Sequence, residues 1–240
     1  MQGSGTGSMR GIIPRAMQQV GVYKNELEAK GWEYHMEVSF VEIYNETIRD
    51  LLRTGPQNSE DGKHDIKKDL QGNVFVSDVE MTVVDPNNTE QIDSIMEHAA
   101  RHRSVGQTAM NDRSSRSHSV FTLHLRASHK EQGIVLKGTL SLVDLAGSER
   151  LDRSGATGST LKESVAINKS LSALTDVFVA IANKQSHVPF RNSKLTYLLQ
   201  PALSGDGKTL MVSLKLLSFR CNKNLNLYDL LILNFAVGES

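Results

Sequence analysis

Two strings in this 240-residue chain carry residue types that could do chemistry on a phosphate. Residues 111–118 read Asn-Asp-Arg-Ser-Ser-Arg-Ser-His, and residues 144–149 read Asp-Leu-Ala-Gly-Ser-Glu. Together they supply hydroxyls (Ser114, Ser115), a guanidinium (Arg116), a carboxylate where an apolar strand ends (Asp144), a glycine amide (Gly147) and a second carboxylate (Glu149). In α/β sheets ligands bind off the carboxyl ends of strands, and an aspartate there holds Mg²⁺ directly or through water. Gly147 has no Cβ to keep its N–H from a phosphate oxygen. Ser114 and Ser115 offer hydroxyl and amide contacts to the metal and a γ-phosphate. Arg116 and Glu149 could close as a salt bridge that orients an attacking water. Each string alone has a plainer meaning, Ser-Ser-Arg-Ser as a phosphorylatable loop and Asp-Leu-Ala-Gly as a strand-to-helix turn. Their joint presence, each at a strand boundary, favours a sensor of γ-phosphate and Mg²⁺.

The cradle that such a sensor serves is missing. No G-x-x-x-x-G-K-[ST] loop occurs in the chain. Gly205-Asp206-Gly207-Lys208-Thr209 contains Gly-Lys-Thr, but the first glycine that the loop requires is Ala202 here. An apolar stretch follows instead of a helix start, so this segment reads as a turn before a strand.

Apolar spacing predicts the elements that must position these residues. Ile13, Met17, Val20 and Leu27 mark a helix over Ile12 to Lys30, with Pro14 in its first turn and Gly31 ending it. Glu37 to Tyr44 reads as a strand buried on both faces. Thr54 to Gly72 is a polar excursion before short strands near Val74–Val76 and Met81–Val84. Ile92, Ile95, Met96 and Ala99 place a helix over Thr89 to Ser104. Ser119 to Ala127 alternates, with Phe121, Leu123 and Leu125 inward, and Thr139 to Val143 is a shorter apolar strand leading into Asp144. A long helix follows: Thr160 and Glu163 fit a capping box, and Leu161, Val165, Leu171, Leu174, Phe178 and Ile181 form its expected core face. Strands alternate with helices, which predicts an α/β class with a mostly parallel or mixed central sheet flanked by helices.

Composition bounds the partners. Lys+Arg and Asp+Glu are both 27, so an anionic partner must be met by a local patch and not by net charge. One cysteine, Cys221, excludes an internal disulfide and fits a reducing compartment. The Gly/Ser-rich start lacks the apolar core of a signal peptide, and no apolar run approaches the roughly 20 residues that cross a bilayer. The expectation is a cytosolic or nuclear protein with no membrane partner. Nucleic acid is disfavoured, because no aromatic residues interleave with the lysines.

Several further strings carry a resemblance. N-x-x-S-S-R-S-H followed by D-L-A-G-S-E-R resembles the two switch loops of the kinesin motor domain. Val41 to Glu46 with Asp50-Leu51-Leu52 resembles that family's central strand and following turn. Ile167 to Leu174 resembles its relay helix, and His187 to Thr196 its main microtubule-binding loop and helix. Gly11 to Arg15 and Ser154 to Gly158 are most similar to the minus-end-directed, C-terminal-motor kinesins.

The resemblance implies an ATP-driven microtubule motor with ATP or ADP and Mg²⁺ at the switch loops. Arg116, Glu149 and Ser115 would be catalytic. Ser114, Ser115, Asp144 and Gly147 would bind the nucleotide, with Ser115 and Asp144 nearest Mg²⁺, mainly through water. It implies tubulin polymer as the partner, met by Lys162, Lys169, His187, Arg191 and Lys194, and a cytoplasmic, cytoskeletal location including the spindle. Lys63, Lys67 and Lys68 are a second candidate contact, or ordinary solvated charges. Oligomers would form through a coiled coil absent from this sequence.

Two departures qualify it. The chain starts at the tail of the T-M-x-G string that follows the phosphate loop, so it is expected to lack the phosphate loop and first strands. Residues 1–212 then form a partial motor domain, and residues 213–240 are a divergent segment. Such a chain is expected to bind nucleotide doubtfully, to be inactive alone as an ATPase, and to leave sheet edges unpaired. Leu214, Leu216, Leu217, Leu230 and Leu231 are available to cover part of that gap.

Overall fold

The computed structural model describes residues 1, 3, 10–55, 64–70, 72–104, 116–147, 159–204, 208–215 and 228–239, with backbone alone at 159–162, 213–215 and 228–239. Helix α1 runs Ile12–Glu28 and buries Ile13 and Met17. Gly31 beyond it has φ 89° and lies where a Cβ would come within 3.1 Å of His129 Nε2, so glycine is needed twice over. Strand β1 spans Trp32–Tyr44 and turns through Asn45 and Glu46 (φ 51° and 56°) into β2, Thr47–Asp50. β3 (Ile66–Lys68) and β4 (Val74–Val76) form a separate ribbon, and β5 (Thr82–Val83) lies beside β1.

Helix α2 occupies Thr89–Ser104, then β6 (His118–His129) and β7 (Ile134–Asp144) form a hairpin. Helix α3, Ser159–Ala182, leads to a 3-10 turn at Phe190–Asn192, α4 at Lys194–Leu198 and α5 at Gln200–Ser204. β8 (Lys208–Lys215) and β9 (Tyr228–Glu239) complete the described chain. The strand expected after Gly205-Asp206-Gly207 is β8.

The main sheet has the order β2-β1-β6-β7-β9-β8 and is covered on both faces. Alternation assigns the faces. Met36, Val38, Phe40, Phe121, Leu123 and Leu142 point to one side, where Ile13 and Met17 of α1 and Ile92, Met96 and Ala99 of α2 meet them. Val41, Ile43, Val120 and Val143 point to the other, against Leu174 of α3 and Leu195 and Leu199 of the α4 region. Phe40 and Phe121 pack edge to face at 5.6 Å. This is the expected α/β arrangement of a sheet flanked by helices.

Strand direction departs from the expectation. Every pairing among the described strands is antiparallel. The physical reason is local: β1–β2 and β6–β7 are joined by tight hairpin turns, which force antiparallel neighbours. β7 and β8 do run parallel to each other, as a crossover through α3 requires, but β9 lies between them and pairs antiparallel with both. β9 contains Leu230 and Leu231, so this part of the divergent segment joins the sheet next to β7.

Helix α3 also corrects the sequence reading. Its buried residues are Ile167, Ser170, Ala173, Leu174, Val177 and Ala180, while Val165 and Ile181, expected inside, are exposed. Leu171 and Phe178 are partly buried beside that core, and the Leu161 side chain lies outside the described residues. Residues Glu163–Ala182 are long and apolar enough to cross a membrane by length and composition, contrary to the expectation of no such run. Their inward face packs on the sheet, as in a core helix.

Truncating Phe40 to Ala should destabilise the protein by about 3–5 kcal/mol, through lost burial and a residual cavity between Phe121 and its neighbours. Urea unfolding of the variant checks this, with the midpoint expected to fall at unchanged slope.

Candidate functional site

Of the phosphate-site residues singled out by sequence, Arg116, Asp144 and Gly147 stand near the carboxyl end of β7. Register pairs Ser119 with Asp144 across β6–β7 and His118 with Ile43 across β6–β1. Alternation then divides neighbouring residues between the two faces of the sheet.

On the α2 face, Arg103 from the last turn of α2 reaches groups on β1, on β7 and on the residue just before β6. Its Nε lies 3.6 Å from Glu42 Oε1, its Nη1 lies 3.9 Å from Asp144 Oδ2, and its Nη2 donates to Ser117 Oγ at 3.2 Å. Glu42 is wholly buried in β1, so a cation beside it is an electrostatic requirement. The ammonium of Met1 also lies 3.9 Å from Asp144.

On the α3 face, His118 is 3% exposed and is bonded at both ring nitrogens. Ala146 N–H donates to Nδ1 at 3.0 Å. An amide can only donate, so Nδ1 carries no proton, and a neutral ring must carry it on Nε2. Nε2–H therefore donates to Ser170 Oγ at 2.8 Å, and that hydroxyl donates on to the Ile167 carbonyl at 2.7 Å. Burial, with the Arg103 cation as a smaller contribution, lowers the His118 pKa to about 4, so the ring is neutral at physiological pH. Next to it, Arg116 Nη1 bonds Glu163 Oε2 of α3 at 3.1 Å, a largely buried pair.

Several expectations can now be placed. Asp144 and Arg116 stand at this end of the sheet, and Gly147 follows in the loop after β7. Ser114, Ser115 and Glu149 lie outside the described residues, so the expected Arg116–Glu149 bridge falls there too. The described partner of Arg116 is Glu163, and the expected cap of Glu163 with the Thr160 side chain falls outside the described residues.

Among the polymer-facing candidates, Lys169, His187 and Arg191 are exposed, and Arg191 sits 5.4 Å over the Tyr197 ring. The Lys162 side chain and Lys63 lie outside the described residues, whereas Lys67 and Lys68 are exposed on β3. Lys194, another of these candidates, is half-buried and paired. Its Nζ is paired with Asp65 at 2.6 Å, and its backbone N–H donates to Glu46 at 2.8 Å.

Sequence spacing assigned Glu163 a capping role only, and did not single out Arg103, Ser170 or the bonded role of His118. A signal existed for one of them. Ser170 shares the helical stripe of Ile167, Leu174 and Val177, and a serine on a buried stripe requires a partner.

The described residues do not make up a complete site for Mg²⁺ and a triphosphate. No group of three His, Cys, Asp or Glu side chains able to hold a metal occurs among them, and Arg103 already lies against Asp144.

Comparison with known proteins fits this geometry. The kinesin motor domain family matches residues 1–226, and the chain belongs to that family. The kinesin-like protein KIN-14M of Arabidopsis thaliana is 54% identical over 208 residues, which are 84% of this chain and 28% of that protein. Carboxy-terminal kinesin 2 of Xenopus laevis is 47% identical and human KIFC1 44% identical, covering 86% and 92% of this chain and 32% and 34% of theirs. The likeness to C-terminal kinesins is therefore borne out. Among solved structures, the C-terminal motor and motor homology domain of Kar3Vik1 aligns with TM-score 0.71 and 43% identity, over 82% of this chain and 50% of that one. A KIF14 dimer in complex with a microtubule and AMP-PNP aligns with TM-score 0.70 and 34% identity, over 82% and 56%. The chain thus spans about a third or less of these curated relatives and about half of these solved chains.

The pKa of His118 generates a stability prediction. The group is protonated near pH 6.5 when unfolded but only near about 4 when folded. Its contribution is complete above pH 6.5, is lost as pH falls through that window, and is gone below about 4. The loss amounts to about 3 kcal/mol at about 1.4 kcal/mol per unit. His118→Asn should lack this component, so urea stability measured across the window should decline less steeply than in the parent. Equal slopes would contradict the assignment.

Proposed function

We propose that this chain is the microtubule-binding part of a kinesin motor domain, whose family couples the state of a bound nucleotide to its hold on the polymer. The observation that carries the reading is the two-sided use of α3. One side receives Arg116 through Glu163 and His118 through Ser170. The other side exposes Val165, Lys169 and Val179, and α3 packs against the 3-10 turn and α4, where His187 and Arg191 are exposed. A helix tied to the sheet end and bordered by cations suits an acidic polymer surface, and a shift at the loops would move it.

In this reading Ser114, Ser115, Asp144 and Gly147 form the nucleotide-facing wall, Ser115 and Asp144 would hold Mg²⁺ mainly through water, and Arg116 with Glu149 closes over it. When bound, Mg²⁺ would neutralise charge on the β- and γ-phosphate oxygens. Lys162, Lys169, His187 and Arg191 meet tubulin, with Lys194 contributing through its pairing with Asp65 and not as a free charge. The motor domain occupies residues 1 to about 212, and residues 213–240 are its divergent extension. The setting is the cytoplasmic microtubule cytoskeleton, including the spindle, with stepping toward the minus end in the full-length motor.

The 240-residue polypeptide itself is proposed to bind microtubules without turning over ATP, because its sequence contains no phosphate cradle. Losing one preorganised donor typically removes about 3–4 kcal/mol of transition-state stabilisation. A micromolar ligand holds only about 8 kcal/mol in all, so losing a ring of amides and its lysine abolishes useful binding. Cosedimentation of the purified chain with microtubules tests both parts. Pelleting should be indifferent to ATP, weaken with salt, and fall about fivefold in affinity for Arg191→Glu, roughly 1 kcal/mol for an exposed charge contact. Microtubule-stimulated phosphate release would overturn the inactive reading, and absence of pelleting would overturn the binding one.

A further inference from the structure

Among the described residues, one buried ring bridges the loop that follows β7 and the helix α3. We propose that His118 is a positioning residue that locks Ala146 to Ser170, so that the loop after β7 and α3 move as one body. This rests on the reading above that α3 carries the polymer-facing side, and it adds the residue through which the loop's position reaches the helix.

The geometry makes the lock directional and rigid. Imidazole has bonding atoms on opposite edges of a planar ring, so one edge holds the loop amide while the other holds the helix hydroxyl. Each proton has one place: Ala146 N–H to Nδ1, Nε2–H to Ser170 Oγ, and the hydroxyl proton to the Ile167 carbonyl. Turning the ring over would set Nε2–H against the Ala146 N–H and lose a bond. The ring itself is anchored at the first residue of β6, where the ladder places His118 opposite Ile43. Its burial keeps water from substituting for either partner, and its low affinity for protons preserves the neutral form.

The neighbouring Arg116–Glu163 pair also links the sheet end to α3, but at the helix's first turns and through two long side chains. That pair is also largely buried, but two long side chains have many rotatable bonds through which to absorb a displacement, whereas a buried three-bond chain through a planar ring has few. His118 is therefore the stiffer of the two links. Leu145 and Ala146 are both buried, so the loop cannot absorb a shift by moving into solvent at these positions.

The test removes the lock at its helix end and reads the loop end. Ser170→Ala deletes one oxygen and leaves the ring in place. Amide exchange at Ala146, followed by NMR on the full chain, should accelerate roughly tenfold, equivalent to about 1.4 kcal/mol. His118→Asn, whose amide oxygen can still accept from Ala146 but cannot reach Ser170, should show the same acceleration. Ser119→Ala serves as the control for general destabilisation. Its hydroxyl is buried with no partner among the described residues, so exchange at Ala146 should stay at the parent rate. In the parent, the His118 ring nitrogens should report the Nε2–H tautomer, and Ser170→Ala should shift the Nε2 resonance. Unchanged exchange at Ala146 in both lock variants, or equal acceleration in Ser119→Ala, would overturn the proposal. Microtubule pelleting of the same proteins is scored separately. Its absence in the parent counts against the polymer-binding reading, while the exchange rates still decide the lock.

Discussion

The carboxyl end of β7 is gripped from both faces of the sheet, and the rest of the molecule is arranged so that this grip can exist. From one face α2 delivers Arg103 to Glu42, Ser117 and Asp144. From the other, β6 delivers His118 to Ala146 and α3. The constraint behind both is the long antiparallel ladder from β1 through β6 to β7. Because side chains alternate along a strand, adjacent residues Ser117 and His118 serve opposite faces. A register slip by one residue would exchange the two sets, burying the wrong groups on each side. Apolar burial on both faces, with Phe40 and Phe121 on one and Val120 and Val143 on the other, sets the register against that slip.

Much of this was legible in the residues. The 3.6-residue spacing of Ile92, Met96 and Ala99 located α2 with its buried face, and alternation in Ser119 to Ala127 located β6 with its inward side. The ends were less legible. β1 begins at Trp32, five residues before the β-branched run, because Trp32, Tyr34 and Met36 continue the alternation among charged neighbours. Gly138 interrupts the apolar pattern of β7, so only its last half stood out. On α3 the expected face was rotated, since small residues (Ala173, Ala180, Ser170) line the close contact with the sheet while Val165 and Ile181 point outward. Apolar size is a poor guide where a helix packs tightly on strands.

The site was legible in its types more than in its pairings. The spacing of Arg116, Asp144 and Gly147 placed all three near one end of the sheet. Which cation meets which carboxylate depends on distances between α2, α3 and three strands, and no spacing rule contains those. Arg103 sits among solvated charges at the end of α2, and Glu163 read locally as a helix cap, so nothing local pointed to either pairing. Strand direction was local at the two hairpins, but at the β8 end of the sheet it was a long-range property. β7 and β8 keep the parallel sense of a crossover, and only the insertion of β9 makes every neighbour antiparallel.

At the tip of the β1–β2 hairpin, Asn45 and Glu46 both hold a left-handed backbone, which asparagine tolerates and glutamate does so only under duress. Glycine would be the relaxed choice at position 46, yet it has no carboxylate. The Glu46 side chain accepts from the first N–H of α4, so conformational discomfort in the bend is exchanged for a filled valence at the helix start 148 residues away. That swap makes the hairpin apex a joint of the tertiary structure, and not merely a reversal of the chain.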